Sequence, residues 1–120
     1  VTFGEVLEAA AEIHDRGVEN VLVSLGADGA VLVDEQGALH ADTPSFTPRS
    51  TVGAGDSLLA GFLFAAEDRR ERLTEAVAWG AAAAQLPGSQ GPKPEDLDRE
   101  SVTLYEEVNL QRTLKGEAPR

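Results

Sequence analysis

Apolar residues near the start of the chain recur with a helical period. Val6, Ala10 and Ile13 stand at i, i+4 and i+7, with Leu7 alongside, which predicts an amphipathic helix over residues 2–16. Thr2 and Glu5 have the spacing of a capping box, and Gly17 supplies a stop. The pattern then becomes strand-like. Val21-Leu22-Val23 reads as a short buried strand and Ala30-Val31-Leu32-Val33 as a second, with an Asp-Gly turn between them in Gly26-Ala27-Asp28-Gly29. A turn at Gln36-Gly37 leads to a third strand at residues 38–41, and Pro44 and Pro48 mark residues 42–50 as loop or edge.

The helical period then returns. Leu58, Leu59, Phe62, Leu63 and Ala66 form the apolar side of a helix over residues 56–66, behind a glycine-rich turn at Gly53-Ala54-Gly55. The charged run at residues 67–72 reads as a solvated connection or helix end. A helix over residues 74–86 is rich in small side chains around Gly80, and Pro87-Gly88 ends it. Residues 88–94 read as loop, residues 102–108 as a last strand, and residues 111–120 as a loose polar tail. The order is helix, three strands, two helices, strand. This is an α/β pattern with too few strands to close a covered sheet, so the chain reads as one end of a larger α/β domain. On its own it is expected to self-associate, as a homo-oligomer or otherwise, or to be loosely packed.

Composition narrows the chemistry. The net charge is −11, with 10 basic and 21 acidic residues, which gives no attraction to phosphate backbones or anionic lipids. A nucleic-acid or membrane partner is therefore not expected, and a soluble cytoplasmic setting is. There is no cysteine, which excludes a disulfide scaffold, a thiolate zinc site and a cysteine nucleophile in this chain. His14 and His40 read as surface or packing residues, and Trp79 as core.

The strongest chemical signal is Thr51-Val52-Gly53-Ala54-Gly55-Asp56 at a helix start. Glycines allow a tight turn and close approach of an anion, and the first-turn N–H groups with the helix dipole favour negative charge. A transferring phosphoryl group suits such a site, and Asp56 at its mouth suits proton abstraction from a hydroxyl. The same residues also make an ordinary N-terminal turn. A Rossmann fingerprint fails at Leu58, and a Walker A loop has no lysine in place. Gly55-Asp56-Ser57-Leu58 also spells a serine-esterase motif with Ser57 as nucleophile, but no histidine follows His40 to serve as its base. Ser24-Leu25-Gly26-Ala27-Asp28-Gly29 is a hairpin turn whose N–H groups can also face a phosphate. Gly80 and its small neighbours admit either a flat base or a second helix.

These three segments, in this order and spacing, resemble the C-terminal part of the PfkB (ribokinase-like) sugar kinases over residues 4–91. Within that family the stretch from Ser50 to Gly61 looks most like 1-phosphofructokinases. The resemblance implies the C-terminal portion of a three-layer αβα domain with an incomplete sheet, whose N-terminal part and lid lie elsewhere. It implies ATP and Mg2+ as cofactors and a sugar phosphate, fructose 1-phosphate first, as substrate. It assigns Asp56 as catalytic base in contact with the sugar hydroxyl, and the N–H groups of Gly53, Ala54 and Gly55 as the anion hole. Ser24, Leu25, Gly26, Ala27, Asp28 and Gly29 would line the ATP phosphates and ribose, and Gly80 the adenine. Ser50 stands where ribokinases often carry Asp near a monovalent-cation site. The family's Asn-x-x-Glu magnesium motif has no match at Asn20 or Asn109, so the metal ligands are not assigned. The resemblance also implies that these 120 residues alone are inactive. A stand-alone nucleotide-binding or assembly module is the alternative.

Overall fold

The structure is a computed structural model that describes residues 1–44, 46, 48–50, 53–65, 68–87 and 91–114. Its elements run α1 (Phe3–Asp15), β1 (Val21–Ser24), β2 (Ala30–Asp34), β3 (Gly37–Asp42), α2 (Ala54–Phe64), α3 (Arg69–Gln85) and β4 (Thr103–Tyr105). Short 3-10 turns occupy Gly26–Asp28, Pro94–Asp96 and Arg99–Ser101. The order of helices and strands matches the sequence reading.

The four strands form one antiparallel sheet in the order β1-β2-β3-β4. Antiparallel pairing follows from the short turns between β1, β2 and β3, since a parallel step needs a crossover of a dozen or more residues. Register sorts the side chains into two faces. Leu22, Leu32 and Leu39 align across three strands, as do Ala30, Ala41 and Leu104. This face packs with Phe62, Leu73, Ala76 and Val77 in the main core under α2 and α3. On the opposite face Val21, Val33 and Ala38 pack with Leu7 and Ala10 of α1. The result is three layers: α1, the sheet, and the α2–α3 pair.

Thr2 caps α1 with both halves of the expected box, Thr2 Oγ1 accepting from the Glu5 N–H at 3.2 Å and Glu5 Oε1 accepting from the Thr2 N–H at 3.1 Å. The inward stripe of α1 is rotated from the predicted one: Phe3 and Ala10 are buried while Ile13 is exposed. β1 is shallower than predicted. Only Val21 is buried, because β1 is an edge strand with a neighbour on one side. The last strand is shorter than expected. α3 starts at Arg69, where the Asp68 carboxylate caps the Arg70 N–H at 2.9 Å. The charged run therefore begins a helix, and Arg69 is bonded to Asp34 through two N–H···O contacts of 2.9 and 2.8 Å.

Helix α2 lies along α3 and presents Leu59, Leu63 and Phe64 to solvent. These leucines were expected to be inward; they project away from α3, and no strand of this sheet lies beneath them. Gly61 is what lets the two helices meet. A Cβ there would stand 2.7 Å from both the Glu75 carbonyl oxygen and Trp79 Cδ1. Gly61→Ala is expected to cost about 1–3 kcal/mol, because backbone and a large ring must shift together. Chemical denaturation of the variant against the parent measures it; an unchanged midpoint would mean that the helices separate freely.

Candidate functional site

One cavity of about 300 Å³ gathers most of the residues singled out in the sequence. Its floor and sides are Ser24, Gly26, Ala27 and Gly29 from the β1–β2 turn, Ala54 and Gly55 from the start of α2, and Gly80 and Ala81 from α3. Segments far apart in sequence meet because antiparallel pairing brings the β1–β2 turn to the same end of the sheet as the end of β3. Helix α3 then carries its small residues across that end. Gly80 serves twice: a Cβ there would stand 3.2 Å from Leu58 Cβ, so its absence sets the α2–α3 spacing and opens the cavity wall.

The remaining wall was not read from the sequence as part of a site. Thr43, Pro44, Phe46 and Pro48 line the cavity, along with Leu58, Val77 and Ala84. The signal for the loop was present in its three apolar residues, which alternate as a strand's would but include two prolines that a strand ladder disfavours. The loop is pinned to α3 where the Arg49 and Ser50 N–H groups donate to the Ala84 carbonyl at 2.8 and 3.2 Å. The cavity is thus an apolar slot with glycine-rich polar edges, the usual composition of a small-molecule site.

At one edge α2 begins. Gly53 takes the left-handed conformation, φ 80°, as its N-cap, with no side chain capping the helix. The first intrahelical bond runs from the Ser57 N–H to the Gly53 carbonyl at 2.9 Å. The N–H groups of Gly53, Ala54, Gly55 and Asp56 therefore have no partner within the helix. Gly53 and Gly55 are exposed, and a Cβ on either would meet nothing within 4 Å. Asp56 lies in the first turn of α2, and its side chain is exposed. Thr51 and Val52 lie outside the described residues.

Leu25 and Asp28 stand apart from the rest of their turn. Leu25 does not line the cavity. Asp28 is fully buried and is not among the residues that line the cavity. Asp28 Oδ1 accepts from Arg112 Nη2 at 2.9 Å, and the Asp28 carbonyl accepts from His40 Nε2 at 2.7 Å. A buried carboxylate is stabilised by such a charged partner rather than left for a transient ligand. Arg112, expected in a loose tail, is held in place: its carbonyl accepts from the Phe3 N–H at 2.9 Å, and Thr113 bridges to Thr2. Residues 115–120 of that tail lie outside the described residues.

His40 is a packing residue. It is buried, sits edge-on to Phe3 with ring centroids 4.6 Å apart and stacks on Tyr105 at 4.9 Å. Burial lowers its pKa below the usual 6.5, opposed by its bond to the Asp28 carbonyl and the charge of Asp42. A carbonyl only accepts, so Nε2 carries a proton, and burial favours the neutral ring. The folded state binds fewer protons on His40 than the unfolded state does. The stabilisation is therefore complete above about pH 6.5 and is lost as pH falls from there toward the lowered value. His40→Gln is expected to flatten this part of the profile of unfolding free energy between pH 7 and 5. An unchanged slope would assign it to other groups.

Comparison with known proteins places these features in a family. The pfkB family of carbohydrate kinases matches residues 2–92. The chain belongs to this family. A 1-phosphofructokinase from Haloferax volcanii is 41% identical over 98 residues, covering 81% of this chain and 32% of that protein. The crystal structure of phosphofructokinase-2 from Escherichia coli in complex with potassium superposes with a TM-score of 0.73 at 35% identity, covering 80% of this chain and 32% of that one. Aminoimidazole riboside kinase from Salmonella enterica, solved with its riboside and an ATP analogue, gives a TM-score of 0.61 at 33% identity, covering 68% and 30%. The chain thus spans about a third of the length of these relatives. Its fold is that of the ribokinase-like kinases. Among the described residues, no helix is long and apolar enough to cross a membrane.

Proposed function

We infer that this chain supplies the nucleotide half of a sugar-phosphate kinase active site, with ATP as phosphoryl donor and fructose 1-phosphate as the foremost acceptor. The observation that carries the reading is the junction of two unlike surfaces. The apolar slot between Thr43, Pro44, Phe46 and Pro48 on one side and α3 on the other suits a flat base. Its glycine edges and the start of α2 suit phosphates. In this reading Gly80 lies beside the adenine, and Ser24, Gly26, Ala27 and Gly29 lie along the ribose and phosphates. The N–H groups of Gly53, Ala54 and Gly55 meet the charge that grows on the transferring group. Asp56 takes the proton from the attacking sugar hydroxyl.

Magnesium would enter with the nucleotide. Among the described residues there is no group of three or more His, Asp or Glu side chains placed to hold a metal ion. Magnesium commonly rests on nucleotide phosphates and one or two carboxylates, and when bound it would neutralise phosphate charge. In this reading the sugar contacts other than Asp56 come from outside this chain, which spans about a third of the relative's length.

A coupled assay of ADP release by the complete kinase domain carrying this segment tests the acceptor. Fructose 1-phosphate is expected to give a kcat/KM well above those for fructose 6-phosphate and tagatose 6-phosphate. A clear preference for either of the others would move the reading within the family. Inactivity with all of them, alongside intact ATP binding, would favour a binding or assembly module.

A further inference from the structure

The ion cluster behind the cavity lies outside the site itself, yet it touches both of the cavity's loops. Arg112 Nη2 donates to Asp28 Oδ1 at 2.9 Å and approaches Asp42 Oδ2 at 3.5 Å. Asp28 sits in the turn whose neighbours Gly26, Ala27 and Gly29 line the cavity. Asp42 ends β3, directly before the lining residues Thr43 and Pro44. One guanidinium therefore reaches a carboxylate at the root of each wall. The Tyr105 hydroxyl donates to Asp42 Oδ1 at 3.2 Å, and the Arg112 guanidinium lies 5.0 Å from the centre of the Phe3 ring. Both acids are buried, and Arg112 is about three-quarters shielded. Arginine suits this bridge because its planar fork can serve two acceptors at fixed spacing, which a lysine ammonium does less well.

Arg112 also lies beyond the 2–92 stretch that carries the family match. The backbone on either side of it is fastened to the opposite end of the chain. The Gly4 N–H donates to the Leu110 carbonyl at 2.8 Å, and a Cβ on Gly4 would stand 2.8 Å from that oxygen. The segment 110–113 is thus a strap laid across the start of α1, with its one long cation turned into the core.

We propose that Arg112 is a positioning residue for the nucleotide cavity, holding the 26–29 turn and the 42–44 segment at the spacing the ligand needs. The proposal rests on the nucleotide reading only for its functional consequence; its structural half stands on the contacts themselves. Arg112 is not among the residues that line the cavity, so its loss acts through the two loops.

The test is amide hydrogen exchange with ATP titration, on the protein and on Arg112→Gln. The turn is closed by bonds from the Leu25 N–H to the Gly29 carbonyl at 2.8 Å and from the Asp28 N–H to the Leu25 carbonyl at 3.1 Å. In the variant the amides of Leu25, Asp28 and Gly29 are expected to exchange about tenfold faster and ATP to bind about tenfold more weakly, while the amides of α3 keep parental rates. Unchanged exchange at the turn overturns the proposal, as does a loosened turn with parental affinity. If the parent fails to bind ATP but the turn loosens, the nucleotide reading falls and the positioning role stands. Should α3 also lose protection, the same readout is taken on Arg112→Gln combined with Asp28→Asn, which removes the nearer of the two opposing buried charges. The turn is again expected to exchange faster than in the parent; parental protection there overturns the proposal.

Discussion

Asp56→Asn in the complete kinase domain is expected to lower kcat by about 10² to 10⁴ while leaving ATP affinity within a few-fold of the parent. The split follows from where Asp56 stands. It is exposed in the first turn of α2, outside the residues that line the cavity. A base contributes only when a proton moves, so its loss appears in turnover rather than in nucleotide binding. Asparagine keeps the shape and a polar side chain at the helix start, which separates the chemical role from a structural one. If the same change mainly weakened the fold, denaturation midpoint and kcat would fall together. A parental kcat in Asp56→Asn would remove Asp56 from the chemistry. Ser57→Ala separates the esterase reading, since the kinase reading expects it to leave phosphoryl transfer largely intact.

Gly29→Ala is expected to be the most damaging single methyl in the chain. Gly29 has φ 83° and ψ −126°, a region almost closed to residues with a side chain. A Cβ there would stand 1.9 Å from the Ala41 carbonyl oxygen and 2.8 Å from Asp42 Cα. Both obstacles are backbone of β3, so nothing can turn aside. Strain and overpacking together should cost about 3–5 kcal/mol, which would unfold many small domains. Gly26→Ala is the control. Its φ is 58°, but a Cβ there would meet nothing within 4 Å. It should cost only the conformational penalty, about 1–2 kcal/mol. Thermal melts of the two variants test the pair. Similar Tm losses would show that conformation rather than collision sets the cost.

The contrast also explains which parts of this protein are legible in its sequence. Gly26 and Gly29 look alike along the chain, and only pairing of β2 with β3 sets Gly29 against backbone. Local signals served well where the physics is local. The capping box at Thr2, the β-branched runs and the small-residue helix each announce an element, and their order came through. Amphipathic stripes misled where the partner is missing. Leu59 and Leu63 read as inward, yet both are exposed. Side-chain direction inside a turn has no period to betray it, so the burial of the Asp28 carboxylate was not legible. Its partner Arg112 lies 84 positions away, in a polar stretch with no local pattern.

The same limit applied to the cavity. Its glycine edges were visible as motifs because close approach to a ligand demands a missing side chain. Its apolar wall was not, since Pro44, Phe46 and Pro48 alternate like strand residues while two of them are prolines, and they gain their meaning only when the Ala84 carbonyl draws residues 49–50 onto α3.

Calorimetric titration with ATP and magnesium tests the central claim most directly, on the protein and on Ala81→Phe. Ala81 lines the slot from α3, and a phenyl ring there would occupy the place assigned to the base. The expected result is saturable one-to-one binding by the parent, weakened at least tenfold in Ala81→Phe while the variant keeps the parental melt. Absence of saturable binding by the parent, or equal affinity in both, would contradict the assignment of this cavity to the nucleotide.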